Sequence, residues 1–112
     1  MNTDRAIAAF SALAHPHRLN VFRALVRAAP GKVSAGELAR KVGAPPSTLS
    51  AHLAQLQRSG LIRATRERQS ILYSLDEEGA RRLIAYLVDD CCGGHPEICG
   101  MAAAREDAAT TA

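Results

Sequence analysis

The amino-acid sequence predicts a small, mainly α-helical domain carrying one β-hairpin. Three observations lead there. Among 112 residues, 22 are alanine and 4% are aromatic, a composition that favours closely packed helices over an all-β sandwich. Apolar residues return at three- and four-residue intervals through most of the chain, the period of a helix with one buried face. Residues 61 to 75 alternate instead, the period of a strand.

Asn2 or Thr3 is placed to cap a first helix, with Ile7, Phe10, Leu13 and Ala14 along one face, ended by His15-Pro16. Pro16 suits the first turn of a second helix, whose stripe is Leu19, Phe22, Leu25 and Val26 and whose stop is Ala29-Pro30-Gly31. Ser34 and Glu37 have the spacing of a capping box, which opens a short helix with Leu38 and Val42 in its core row. Gly43 closes that helix as a left-handed terminator.

After Ala44-Pro45-Pro46 the pattern restarts with Leu49, Leu53 and Leu56 as the buried row and Ser59-Gly60 as the stop. Two short helices joined by so tight a turn make a helix-turn-helix. Leu61 to Arg66 and Ser70 to Leu75 then form the hairpin, with Glu67-Arg68-Gln69 as its loop. Asp76 caps a last helix whose first turn holds Glu77 and Glu78, and Leu83, Ile84, Leu87 and Val88 form an apolar seam. That seam is too wide for so thin a domain. Together with Ile7 and Phe10 it predicts a homodimer through the first and last helices.

A single domain is the limit at this length, with little room for an enclosed catalytic cavity. No apolar run approaches the ~18 residues of a membrane span, and Met1-Asn2-Thr3-Asp4-Arg5 lacks a signal-peptide pattern, so the expected location is the cytoplasm. Residues 1–75 hold eleven Lys/Arg and three Asp/Glu, net +8, whereas residues 76–112 hold three and eight, net −5. A basic body of this kind fits a polyanionic partner.

The order helix, helix, helix-turn-helix, hairpin, helix is that of a winged helix-turn-helix. On its second short helix, Ser47, Thr48, Ala51, Gln55 and Arg58 lie away from the leucine row, with Ser50 at its margin. Short hydroxyls allow close approach to a major groove, and a glutamine can bond an adenine edge. His52 lies beside Leu49 and Leu56 and reads as a half-buried structural histidine that supports the DNA-binding set. Arg63, Arg66 and Arg68 on the hairpin can reach phosphate or an adjacent minor groove. The expected partner is double-stranded operator DNA.

Cys91-Cys92-Gly93-Gly94-His95-Pro96-Glu97-Ile98-Cys99 is the other informative stretch. Adjacent helical side chains diverge by about 100°; at a fraying end both sulfurs can turn inward, and the glycines let the chain reverse to bring Cys99 back. Three sulfurs suit trivalent arsenic or antimony, whereas zinc prefers a fourth ligand, which His95 would supply. A cysteine with His95 is also the outline of a nucleophile and base, but no oxyanion-donor loop accompanies it, so an enzyme is not expected.

Several stretches resemble the ArsR/SmtB family of metal-sensing repressors: Leu13-Ala14-His15-Pro16-His17-Arg18, Glu37-Leu38-Ala39, Ser47-Thr48-Leu49-Ser50-Ala51-His52-Leu53 through Gly60-Leu61-Ile62, and Tyr73-Ser74-Leu75. The resemblance implies a dimeric repressor released from DNA by its inducer. Cysteine triads sit in different places among the arsenical-resistance repressors of that family. Here Glu37-Leu38-Ala39-Arg40 carries no cysteine, and the last helix lacks the Asp/His pairs of zinc sensors. The resemblance therefore implies an arsenite-responsive, or antimonite-responsive, subgroup with a C-terminal triad of Cys91, Cys92 and Cys99. Zinc, cadmium or lead sensing and thiol-redox or persulfide sensing are the alternatives. The expected division is a DNA-binding and dimerisation domain over residues 1–90 and a metalloid-binding segment and tail over 91–112.

Overall fold

Asn2 opens the first helix, α1 (Thr3–Leu13), by accepting the Arg5 amide on its side-chain oxygen at 2.8 Å. The structure, a computed structural model, describes residues 1–91, with side chains through Asp89. Cys92, His95 and Cys99 lie outside the described residues. The buried face of α1 is made by Ala6, Ala9 and Ala12, while Ile7 is 59% exposed. The larger residues had marked the wrong face for the core. Alanines let the helix axis come close, and the apolar stripe of Ile7 and Phe10 is left outside.

The second helix, α2 (Pro16–Ala28), buries Val21 and Leu25 completely, with Phe22 partly covered. Leu19 and Val26, expected in the core stripe, are exposed. The face of α2 that carries Val21 and Leu25 packs against α1, α3, α4 and β3, and Leu19 and Val26 fall outside it. Its N-cap is His15, whose Nδ1 accepts the His17 amide at 3.1 Å.

Val33–Ser34 forms a two-residue strand, β1, too short for alternation to reveal it in the sequence. The next helix, α3 (Ala35–Val42), starts at Ser34, whose hydroxyl accepts the Glu37 amide at 3.2 Å. Leu38 and Ala39 are its buried residues. Beyond it, α4 (Pro46–Arg58) buries Leu49, Leu53 and Leu56 as the leucine row requires.

Strands β2 (Ile62–Glu67) and β3 (Ser70–Leu75) pair antiparallel, setting Ile62 opposite Leu75, Ala64 opposite Tyr73 and Arg66 opposite Ile71. Glu67 pairs with Ser70, so the loop is Arg68-Gln69 rather than the three residues expected. Arg68 takes a left-handed φ of 59°, uncommon outside glycine. β1 joins the far edge of β3, giving the order β1-β3-β2.

Asp76 caps the last α-helix, α5 (Glu77–Ala85), accepting the Gly79 amide at 3.0 Å, and π-helical turns continue from Tyr86 to Cys91. A Cβ on Gly79 would collide with the carbonyl oxygen of Gly60, so α5 begins in direct backbone contact with the turn that follows α4. Leu83 is only 6% exposed and belongs to the chain's own core, not to a seam between copies; Ile84 is 50% exposed. The core therefore lies among α2, α3, α4 and the sheet's inner face, closed by the α1 alanines and Leu83. Each fully buried leucine there contributes about 1.5–3 kcal/mol. No helix among the described residues is long and apolar enough to cross a membrane.

Candidate nucleic-acid interface

The turn between α3 and α4 is built by Gly43, at φ 71°, whose amide donates to the Ala39 carbonyl at 2.9 Å. The Ala44 amide donates to the same carbonyl, and Ala44 itself is buried. This closes α3 and turns the chain within three residues. Pro45 is extended and Pro46 occupies the first turn of α4, where a missing N–H costs nothing.

With the leucine row directed inward, Ser47, Thr48, Ser50 and Ala51 are exposed on the N-terminal half of α4. Pro45 offers no side-chain cap, so the first-turn amides of α4 are available to an external acceptor such as phosphate. The Pro45-Pro46 pair is the sequence signal for this feature, because a proline at the cap position has no side-chain acceptor. Gln55 is half-buried; with Arg58 and Ser59 it lines a depression whose far wall is Ala8 and Ser11 of α1. It stands two helical turns beyond Thr48 on the same side of α4, nearer the helix end that α1 borders.

Arg63, Arg66 and Arg68 are all exposed on the hairpin. Strand alternation puts Arg66 on the face of Ile62 and Ala64, and Arg63 on the other. Arg68 is held at the turn. Lys32 donates to Glu67 at 2.8 Å, an exposed pair that keeps the one carboxylate of the wing beside a lysine.

His52 is half-buried and turned toward the start of α2, where Arg18 Nη1 lies 3.2 Å from its Nδ1. Its ring centroid is 4.4 Å from that of His15 and 5.5 Å from that of His17. Burial lowers the pKa of both His15 and His52. His15 is lowered further by Arg18 and His17, and His52 by His15, Arg18 and His17. The grouping of His15 and His17 with His52 is a tertiary feature that helical periodicity does not reveal. Of the three thiols, Cys91 closes the π-helical turns; Cys92 and Cys99 fall beyond the described residues.

A helix-turn-helix domain family matches residues 13–65 of the chain. The HTH-type transcriptional regulator YgaV of Escherichia coli K12 is 38% identical over 91 residues, covering 81% of this chain and 90% of YgaV. The structure of the ArsR family transcriptional regulator RHA00566 is similar at a TM-score of 0.68 and 25% identity, covering 80% of this chain and 89% of that one. The homodimeric winged helix-turn-helix DNA-binding domain of Mb0332 from Mycobacterium bovis gives 0.63 at 28% identity, covering 82% and 85%.

Proposed function

The chain belongs to the ArsR family of helix-turn-helix transcriptional regulators, and from that premise we propose that it represses transcription as an operator-bound homodimer until trivalent arsenic or antimony is captured by Cys91, Cys92 and Cys99. As a member of that family it is a DNA-binding regulator and not an enzyme.

The observation that carries the reading is the outward face of α4, where Ser47, Thr48, Ser50 and Ala51 are exposed beside uncapped first-turn amides. Small side chains let the helix seat in a major groove. The amides and hydroxyls bond phosphate, and the hydroxyls and Gln55 reach for base edges. Arg58, Arg66 and Arg68 extend the positive surface to the flanking backbone, and His52 supports α4 from behind. Two copies present two such helices about 34–36 Å apart, one turn of duplex. The dimer face proposed for this is the exposed apolar surface of Ile7 and Phe10 on α1 with Ile84 on α5.

Residues 91–112 form the proposed sensing segment. It follows directly on the helix that carries Ile84, so closing three thiolates around one ion acts on the dimer face, which in turn sets the separation of the two α4 helices. Reciprocity then requires the metalloid to bind the DNA-bound protein less tightly, by the same factor through which it weakens DNA binding. The test is substitution. Cys91→Ser, Cys92→Ser and Cys99→Ser are each expected to keep operator binding and to lose release by arsenite. A variant that still responds fully contradicts the three-sulfur site. His95→Ala is expected to leave the arsenite response intact; loss of a zinc response in that variant would favour a Cys3His site.

A further inference from the structure

Three histidines outside the thiol segment meet where α2 begins and α4 passes behind it. His15 caps α2, His17 stands in its first turn and His52 projects from the middle of α4. One ring nitrogen from each lies within 4.8 Å of the other two. We propose that His15, His17 and His52 form a site for a borderline divalent cation of the Zn(II) or Ni(II) class, separate from the cysteine segment.

Imidazole nitrogen suits these ions, and three of them leave a fourth tetrahedral position for water. Bonds of about 2.0–2.1 Å put such ligands roughly 3.3 Å apart, so the rings must close by no more than about 1.5 Å. All three are half-exposed, and the adjustment requires the hydrogen bonds at His15 and His52 to yield. The Nδ1 of His17 is buried and has no hydrogen-bond partner. An orphaned polar atom of that kind calls for a missing partner, and a bound ion or its water supplies one.

The cluster already faces one positive group. Arg18 Nη1 sits on the Nδ1 of His52, so that lone pair is directed at a cation supplied by the chain itself. His15 Nδ1 is likewise an acceptor, from the His17 amide. An incoming ion takes these lone pairs, or takes Nε2 after the ring proton shifts to Nδ1; either route releases Arg18 from His52. Arg18 keeps the Ala12 carbonyl, to which its Nε donates at 2.7 Å. Because His52 is carried by α4 while His15 and His17 are carried by the entry to α2, an ion held by all three fixes α4 against α2.

No carboxylate belongs to the group, so a thiolate triad would outcompete it. The full chain carrying Cys91→Ser, Cys92→Ser, Cys99→Ser and His95→Ala is therefore the protein to titrate with zinc sulfate alone. One Zn(II) per protomer is expected, with coordination shifts at the imidazole nitrogens of His15, His17 and His52 in long-range proton–nitrogen spectra. Adding His17→Gln or His52→Gln is expected to weaken binding by more than about tenfold. Adding Arg18→Gln removes the competing guanidinium and is expected to tighten it, a gain that a purely structural role for these residues does not produce. Zinc that fails to bind, that binds without moving these imidazole signals, or that binds no more tightly in the Arg18→Gln chain overturns the proposal.

Discussion

Arg18 Nη1 lies 3.2 Å from the Nδ1 of His52 and so joins the start of α2 to the middle of α4 across 34 residues of sequence. A guanidinium only donates, so His52 accepts at Nδ1 and its neutral ring carries the proton on Nε2. The same arginine holds the last turn of α1 through Ala12. Three helices therefore converge on one side chain.

Arg18→Ala is expected to lower unfolding stability by about 1–3 kcal/mol, since it removes two part-buried hydrogen bonds and an exposed one and leaves the Ala12 carbonyl to find water. Urea denaturation followed by circular dichroism measures it. A change under about 0.5 kcal/mol would place Arg18 among ordinary surface residues.

Acidification acts on the same cluster. His15 and His52 both have pKa values lowered from 6.5 in the folded chain, so the unfolded chain takes up protons first as the pH falls. Stability is therefore full above pH 6.5 and declines below it as the pH approaches and passes the folded-state values. The groups facing these rings are Arg18 and His17, which oppose protonation. A thermal melt series from pH 7.5 to 5.0 is expected to show a falling midpoint, and His52→Gln is expected to flatten the slope. An unchanged slope in that variant would remove His52 from the account.

Leu83 and Ile84 separate folding from assembly. Leu83→Glu places an unpaired carboxylate in the chain's own core and is expected to prevent folding. Ile84→Glu and Ile7→Glu substitute exposed positions and are expected to give folded monomers with weakened operator binding. Sedimentation velocity with circular dichroism separates these outcomes. Intact dimers in both exposed-site variants would move the interface elsewhere.

The element order was legible because each boundary carries its own chemistry: the Asn2, Ser34 and Asp76 caps, the Gly43 terminator and the leucine row of α4 all act within a few residues of their signal. Which face of α1 is buried was not legible, since periodicity reports large apolar residues whereas close helix packing selected Ala6, Ala9 and Ala12. Leu83 looked like part of a surface seam for the same reason: adjacent apolar positions on α5 divide between the core and the exterior only once α5 docks against Gly60. In the candidate site, the exposed hydroxyls of α4 followed directly from the leucine row. The partial cover of Gln55 depends on where α1 crosses, and the contact between Arg18 and His52 on the whole tertiary arrangement.

Thr48→Ala and Arg68→Ala probe different parts of the proposed interface. Thr48→Ala is expected to reduce affinity for the operator more than for random duplex. Arg68→Ala is expected to weaken both equally and to lower the salt dependence by up to about one phosphate contact per wing. Fluorescence anisotropy across a salt series reads both. Equal losses on both duplexes for Thr48→Ala would assign it to the backbone.

The central claim is that metalloid capture at the C-terminal thiols frees the protein from DNA, and the most direct measurement is the anisotropy of a labelled operator complex titrated with arsenite under reducing conditions. The account predicts complete release at one arsenic per protomer, with antimonite equally effective, and with no release by arsenite when Cys91, Cys92 and Cys99 are replaced by serine. Release by zinc, cadmium or oxidant while arsenite leaves the complex intact would contradict it.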